Sequence, residues 1–566
     1  MKVTLARCLA AGGLMVLAAS ACAEHSENEL LFARLPVGAS EPQMMRIDDL
    51  GSRPEKELQT PLGSLWKLFV YYYVADKSIP APDYVCSGSA KTAKEEVYCC
   101  NPGQSIGRDR ALAQSCGLFF EPARLHLEAR DWEAYWKHKA PEIPWLSDLG
   151  QLRPGLKVSV PSLLRALAAM QGEPRERTES ALLAVVLNGR GQSALRYVGG
   201  RYRVKTYTWE HPQRQGIVFG GAAGWMSDGS AVWFGAVGSS LQVMKDHAPK
   251  LAAAAAGATR APGSGRCVDV AMFARYPIRH IAMLGGGDAL QPGEDRDLHG
   301  NYQVEFENGH HLALRANNET RLSWDDKAHP VLTARLDEEE YIARVLDREA
   351  GTAQPEAAKA LTVVARTYLL QNAKQHGECM EIADSSRTQR VSPNPATAAA
   401  RSIVEFTAGL ILQGADARYR LEGEGRDVLT WKKAVGLARQ GMLFDEILQQ
   451  AFEQASLASE NGEAECRPMA SAQRWLITQS RQWHAVLQHE PGFSEPQAQV
   501  CQLSFGNPYS DASRQRIYVR GMHTLNDRYA LAHEYLHLAF SAYPSGQDEI
   551  YIEQWARRLI EGGTRL

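Results

Sequence analysis

The sequence predicts an α+β protein built from several domains. Three observations carry that. The chain has 566 residues, enough for three or so domains that each bury a core. Strand-like and helix-like segments fall in blocks, with strands opening the middle of the chain and helices following them. The composition shifts twice. Leu251-Ala-Ala-Ala-Ala-Ala-Gly257 reads as a helix end, Ala258 to Gly265 (ATRAPGSG) as a flexible linker, and Ala455 to Glu463 (ASLASENGE) as a softer polar boundary. Domains are therefore expected at 24–262, 263–458 and 459–566, behind a leader at 1–23. No internal repeat is visible, which excludes solenoids and propellers.

Each block has its own signals. In the first, Ala231-Val-Trp-Phe follows a Ser227-Asp-Gly-Ser230 turn and reads as half a hairpin. In the second, Tyr302, Val304 and Phe306 alternate, Asn308-Gly309 turns the chain, and Leu312 and Leu314 alternate again. The third looks mostly helical around one short strand, Arg516 to Arg520.

The leader predicts export. Lys2 and Arg7 precede an apolar run from Cys8 to Ala21, and Ala21-Cys22-Ala23 has the small-x-small form of a cleavage site. The run is too short to span a bilayer. Cleavage after Ala23 is expected, with a lipoprotein acylated at Cys22 as the alternative. No later segment is apolar enough to cross a membrane, so a soluble periplasmic protein is expected. Of 10 cysteines, eight remain after the leader, an even number suited to disulfides in an oxidising compartment. Cys99 and Cys100 are adjacent, so each should bridge to Cys86 or Cys116. Cys267 is expected to pair with Cys379, and Cys466 with Cys501. Loss of Lys2 and Arg7 leaves 60 basic residues against 65 acidic, a formal charge of −5. Nothing in that balance points to nucleic acid or to a polybasic membrane contact.

Three constellations carry chemistry. Thr60-Pro-Leu-Gly-Ser-Leu-Trp-Lys67 begins a helix that is apolar on every face and so belongs in a domain centre. Ser64 and Lys67 lie one turn apart on one side of it. A buried lysine that loses its charge can take the proton of a serine and make it a nucleophile. Ser115-Cys-Gly117 and Lys205-Thr-Tyr207 follow downstream. In this order the segments resemble the penicillin-binding transpeptidases and serine β-lactamases, with their S-x-x-K, S-x-N and K-T-G motifs, over most of residues 55–240. The resemblance implies Ser64 as nucleophile, Lys67 as base, and Ser115, Lys205 and Thr206 as substrate-binding residues. Gly117 replaces the family's Asn and Tyr207 its Gly, so poor reaction with penicillins is expected.

The second lies around Glu349. Tyr341-Ile-Ala-Arg-Val-Leu-Asp-Arg-Glu349 is followed by Pro355-Glu-Ala-Ala-Lys-Ala-Leu-Thr-Val-Val-Ala-Arg-Thr-Tyr368. Pro355 suits a first helical turn, and Ala358, Leu361, Ala365 and Tyr368 form one apolar stripe. With Asp384 to Gln389 and Trp431 to Phe452, this wording resembles the SpoIID family of peptidoglycan lytic transglycosylases over roughly 300–455. The resemblance implies that Glu349 is the catalytic acid, which protonates the glycosidic oxygen while the sugar's own hydroxyl closes the ring. The family's Cys/His metal cluster is reduced to His376 and Cys379.

The third is His533-Glu-Tyr-Leu-His537. On a helix both imidazoles share one face and can hold one zinc ion, with Glu534 as general base. Glu553 in Ile552-Glu-Gln-Trp-Ala556 is the expected third ligand, similar to the E-x-x-A helix of gluzincin metallopeptidases, and Glu549 is the alternative. Over its whole length the chain resembles a YfaQ-like family of proteobacterial periplasmic proteins. Members of that family tend to be encoded beside bacterial α2-macroglobulins. Two functions follow. The first is a periplasmic zinc peptidase joined to two peptidoglycan-recognising modules. The second is a non-catalytic scaffold that binds cell wall and partners an α2-macroglobulin.

Overall fold

The computed structural model describes residues 29–188, 195–210, 216–255, 266–285, 289–376, 379–423, 425, 428–453, 455–460, 466, 468–502, 508–511, 515–519, 521–541 and 549–561. The leader, the linker expected at 258–265 and the reversal expected near Ser545 lie outside the described residues. No described helix is long and apolar enough to cross a membrane.

In the first domain, alternating apolar residues build a six-stranded antiparallel sheet. Its strands are β1 (Leu30–Leu35), β2 (Gln43–Asp48), β3 (Gly51–Pro54), β4 (Tyr202–Glu210), β5 (Val218–Met226) and β6 (Ala231–Val237). Their order is β3-β2-β1-β6-β5-β4. The expected hairpin joins β5 to β6, with Gly229 in the left-handed region and Trp225 opposite Ala231. Between β3 and β4 come the helices, among them α1 (Trp66–Asp76), α2 (Arg108–Gln114) and α3 (Glu173–Asn188). As its all-round apolarity requires, α1 is buried from Lys67 to Ala75. Leu31, Ala33, Trp225 and Trp233 on one face of the sheet pack into the cluster that holds α1.

Leu30, Phe32, Val204 and Phe234 point to the opposite face. Their cluster runs on into Leu336, Leu346, Val364 and Phe444 of the middle domain. The first two domains thus share a core, where separate cores were expected. The sheet has two apolar faces, and α1 and its neighbours cover only one of them.

The middle domain holds β7 (Cys267–Ala271), β8 (Ile278–Met283), β9 (Arg296–Phe306), β10 (His311–Trp324) and β11 (Pro330–Asp337). Next come α4 (Glu338–Glu349) and α5 (Pro355–Asn372), then β12 (Lys374–His376) and β13 (Cys379–Ala383). The sheet order is β8-β9-β10-β11-β7-β13-β12, antiparallel apart from the β7–β13 pair. The Asn308-Gly309 turn closes the β9–β10 hairpin as expected, with Glu305 opposite His311. Further on, β14 (Leu410–Gln413) pairs with β15 (Ser456–Ser459). The polar stretch after Ala455 is therefore partly a strand of this domain.

The last domain has its own core around Leu476, Trp483, Ile517, Leu536 and Ile552. It contains α6 (Ala470–Leu487), β16 (Gln499–Gln502), β17 (Tyr509–Asp511), β18 (Arg516–Val519), α7 (Leu525–Ala539) and α8 (Glu549–Glu561). One strand was expected and three are found, with β18 between β16 and β17. The two additional strands are too short and polar to show a period-two pattern. Disulfides join Cys86 to Cys100, Cys99 to Cys116, Cys267 to Cys379 and Cys466 to Cys501, within the pairings expected.

Candidate functional sites

The turn Gly63–Leu65 leads into α1 and sets Ser64 at its mouth, partly exposed. Lys67, 7% exposed, donates to Ser64 Oγ at 3.2 Å, to Ser115 O at 2.8 Å and to Ser115 Oγ at 3.2 Å. Ser115 ends α2 in the left-handed region, with φ 67°, and the next residue, Cys116, is tied to Cys99. An L-residue held there costs about 1 kcal/mol or more, and the cross-chain contacts to Lys67 offset part of it. Burial pushes the Lys67 ammonium down to about 8, with the charge of Glu95 acting the other way. A lysine of that kind is a competent base near neutral pH. Labelling of Ser64 by an acylating probe is therefore expected to climb as the pH passes about 8, where Lys67 gives up its proton. A profile that is flat across this range, measured on wild type against Ser64→Ala, would contradict a lysine base.

The other residues expected here lie on β4. Lys205 is buried on β4 and donates to Thr206 O at 3.0 Å, while Thr206 is itself buried, at 2% exposure. Alternation along β4 puts Tyr207 on the Lys205 side, toward α1, and Thr206 on the other. Tyr207 fills the space beside Ser64. Thr60 donates to its hydroxyl at 2.9 Å and Trp233 at 3.1 Å, and a Cβ on Gly63 would lie only 2.9 Å from the Tyr207 Cβ. Gly63, with φ +50°, is needed at that approach. Nothing in the sequence joined Thr60, Gly63 and Trp233 to Tyr207, because the contacts are long-range. With that space filled, a fluorescent penicillin is expected to label Ser64 slowly and below one equivalent. Rapid stoichiometric labelling, lost in Ser64→Ala, would contradict a closed site.

Glu349 is the last residue of α4. The helix runs amphipathically under the sheet, with Tyr341, Ile342, Val345 and Leu346 buried, so Glu349 emerges half-buried at its C-terminal end. Its Oε1 accepts the Arg390 N–H at 2.8 Å. Burial raises its pKa above the usual carboxylate value, opposed by the Arg390 N–H and by the charges of Arg390 and Arg348. The negative end of the helix dipole works in the same direction as burial. Asp384 is the neighbouring carboxylate. Both of its oxygens are occupied by backbone, Oδ2 by the Phe273 N–H at 3.1 Å and Oδ1 by the Val391 N–H at 3.0 Å. It ties the turn that carries Arg390 to the backbone at Phe273. Gln389, fully buried, accepts from the Tyr341 hydroxyl at 2.7 Å and donates to Ala365 O at 3.1 Å, which fixes the same turn to α4 and α5. Cys379, one of the two residues left of the family's metal cluster, is bonded to Cys267 as expected.

In the last domain, α7 places His533 and His537 one turn apart with their Nε2 atoms 3.0 Å apart. Two imidazoles turned toward one point are a donor pair of the kind zinc takes. Glu534 is buried on the same helix. Glu553 reaches the other side of the first ring, with Oε2 3.5 Å from His533 Nδ1, and Arg557 donates to its Oε1 at 2.8 Å. That pairing with Arg557, one turn along α8, holds the Glu553 carboxyl below its usual range. Glu553, the expected third ligand, thus stands at the Nδ1 side of the His533 ring. It sits where it can orient an imidazole rather than beside the Nε2 pair. The Glu549 side chain lies outside the described residues. Among the described residues no group of three His, Cys, Asp or Glu gathers around one point. The donors present fit a zinc ion in part, with two imidazoles supplied.

Four disulfides brace the described residues, as suits an extracytoplasmic protein. A family model described as Predicted secreted protein (DUF2300) matches residues 91–214 and 427–545, and one described as Stage II sporulation protein (SpoIID) matches 328–413. The Uncharacterized protein YfaQ of Escherichia coli (strain K12) is 42% identical over 529 residues, 92% of this chain and 94% of that one. The chain belongs to the family of that protein. Solved β-lactamases are more distantly similar. A class A enzyme described as the last common ancestor of Gram-negative bacteria is 15% identical, covering 41% of this chain and 94% of its own, with TM-score 0.26. One from Burkholderia phymatum is 14% identical, covering 41% and 93%, with TM-score 0.24. Scores at that level carry no weight, and the Ser64 site stands on its own distances.

Proposed function

We propose that this protein acts on peptidoglycan in the cell envelope, and that its middle domain cuts glycan strands with Glu349 as the acid. The observation that carries this is the Glu349 carboxyl, half-buried at a helix C-terminus and raised in pKa within the stretch that matches SpoIID. A raised carboxyl keeps its proton closer to neutral pH, which a group that protonates a leaving oxygen must do. That Asp384 accepts two backbone N–H groups supports a reading in which, among the described residues, Glu349 is the one working carboxyl. One acid suffices when a hydroxyl of the sugar itself closes the ring, whereas hydrolysis uses a second carboxylate. Purified sacculi incubated with the mature protein test this. Soluble muropeptides bearing anhydro ends support it, and intact sacculi with no glycan bound would contradict it.

A second reading belongs to the last domain and is favoured by the 3.0 Å approach of His533 Nε2 and His537 Nε2. Those two residues would hold zinc, with Glu553 orienting the His533 ring through Nδ1. Bound zinc lowers the pKa of a water toward neutrality. Glu534, buried on the same helix, would accept the water's proton, as a peptidase requires. In this reading the protein joins a peptidase to two wall-recognising domains.

A further inference from the structure

The seam between the first two domains holds glutamates, two of which share one guanidinium. Backbone meets backbone at its edge: the Gly200 N–H donates to Phe406 O at 2.7 Å, and a Cβ on Gly200 would fall 2.2 Å from Ala408 O. Buried Arg203 of β4 donates to Ala408 O at 2.8 Å, and the hydroxyls of Ser180 and Ser459 lie 2.7 Å apart across the seam. Inside lie three glutamates. Glu338 and Glu339 open α4, and Glu460 follows β15. Arg366 of α5 pairs with Glu339 and is otherwise occupied by the carbonyls of Thr407 at 2.9 Å and Leu410 at 3.0 Å. Glu338 and Glu460 share one guanidinium, with Arg266 2.9 Å from Glu338 Oε2 and 3.3 Å from Glu460 Oε2. Glu338 is 4% exposed and its Oε1 has no hydrogen-bond partner. An unsatisfied carboxylate oxygen at such depth costs about 1–3 kcal/mol or more if charged.

We propose that this seam is a proton-gated joint, clamped while Glu338 carries a proton and loosened when the proton leaves. Around Glu338 the charged groups are Arg266 before β7, Glu460 after β15, Glu339 on its own helix and Arg366 on α5, with Arg203 approaching from β4. Burial pushes Glu338 up to about 7, and Glu460 and Glu339 add to that while Arg266 opposes it. The folded value thus lies above the unfolded one. Between the ordinary carboxylate range and neutrality the folded chain holds the extra proton, so stability from this group is present at acidic pH and is lost as the pH rises through Glu338's own value. The joint lies at the start of α4 and Glu349 at its end, eleven residues on or about 16 Å away. The proposal does not depend on Glu349 being catalytic.

Hydrogen exchange of the full mature chain tests it, read at the Gly200 amide and corrected for the intrinsic pH dependence of exchange. Wild-type protection is expected to fall roughly tenfold or more between about pH 5.5 and about pH 8. Glu338→Gln, which is neutral throughout, should hold its protection across that range. Glu460→Gln removes the charge that repels an ionised Glu338 and should flatten the loss as well, which decides the matter if the first variant does not fold. Protection that is independent of pH in wild type, or that falls equally in wild type and both variants, would overturn the joint.

Discussion

Replacing Glu349 with glutamine is expected to slow release of glycan fragments from sacculi by roughly 10²–10⁴-fold, the usual worth of a positioned acid, while sacculus binding changes little. Glutamine keeps the volume and can still accept the Arg390 N–H, which the native Oε1 takes at 2.8 Å. What it lacks is a transferable proton. The pH profile of wild type carries the same information. Because burial raises the Glu349 pKa, activity should persist above the ordinary carboxylate range and then decline on the alkaline side, as the acid form is lost. A folded Glu349→Gln variant with undiminished release would remove Glu349 from the chemistry.

In the last domain, His537→Ala is expected to lose zinc altogether, whereas Glu534→Gln should keep one equivalent and lose peptide hydrolysis. The two side chains are separated in role by their geometry. His537 Nε2 lies 3.0 Å from His533 Nε2, so removing it leaves one imidazole where there were two. Glu534 is on the same helix, yet the metal can be held without it. Glu553→Gln adds a third outcome. Set against His533 Nδ1 at 3.5 Å, it should weaken zinc binding by roughly 10–100-fold, the range for an outer partner of a ligating histidine, rather than abolish it. Metal analysis of the four purified proteins distinguishes these results. Wild type with no stoichiometric zinc would reduce the pair to two neighbouring histidines.

Local signals in the chain were read well where one element carries them. The all-round apolar α1, the hairpins at Ser227–Ser230 and Asn308-Gly309, and the His533–His537 turn depend on neighbours a few residues away, and periodicity reports such neighbours. The one-turn spacing of Ser64 and Lys67 likewise gave their 3.2 Å contact. What periodicity does not report is contact between distant segments. Tyr207 meets Thr60 across 147 positions, and Asp384 spends both oxygens on backbone from two different loops. The shared core of the first two domains was hidden for the same reason. A strand's alternation says that two faces differ, but not what covers each. The burial of Glu338 and its neighbours is hidden in the same way, since arginines that pair with them come from positions 266, 366 and 401.

The mass of the sugar at a freshly cut glycan end bears most directly on the role of Glu349. With a single working carboxyl, purified mature protein acting on sacculi should leave muramyl ends one water lighter than reducing ends, and Glu349→Gln should leave none. Reducing muramyl ends produced by wild type would mean that water attacks and that a second carboxylate is at work. Failure of wild type to cut or bind glycan at all would contradict the assignment outright.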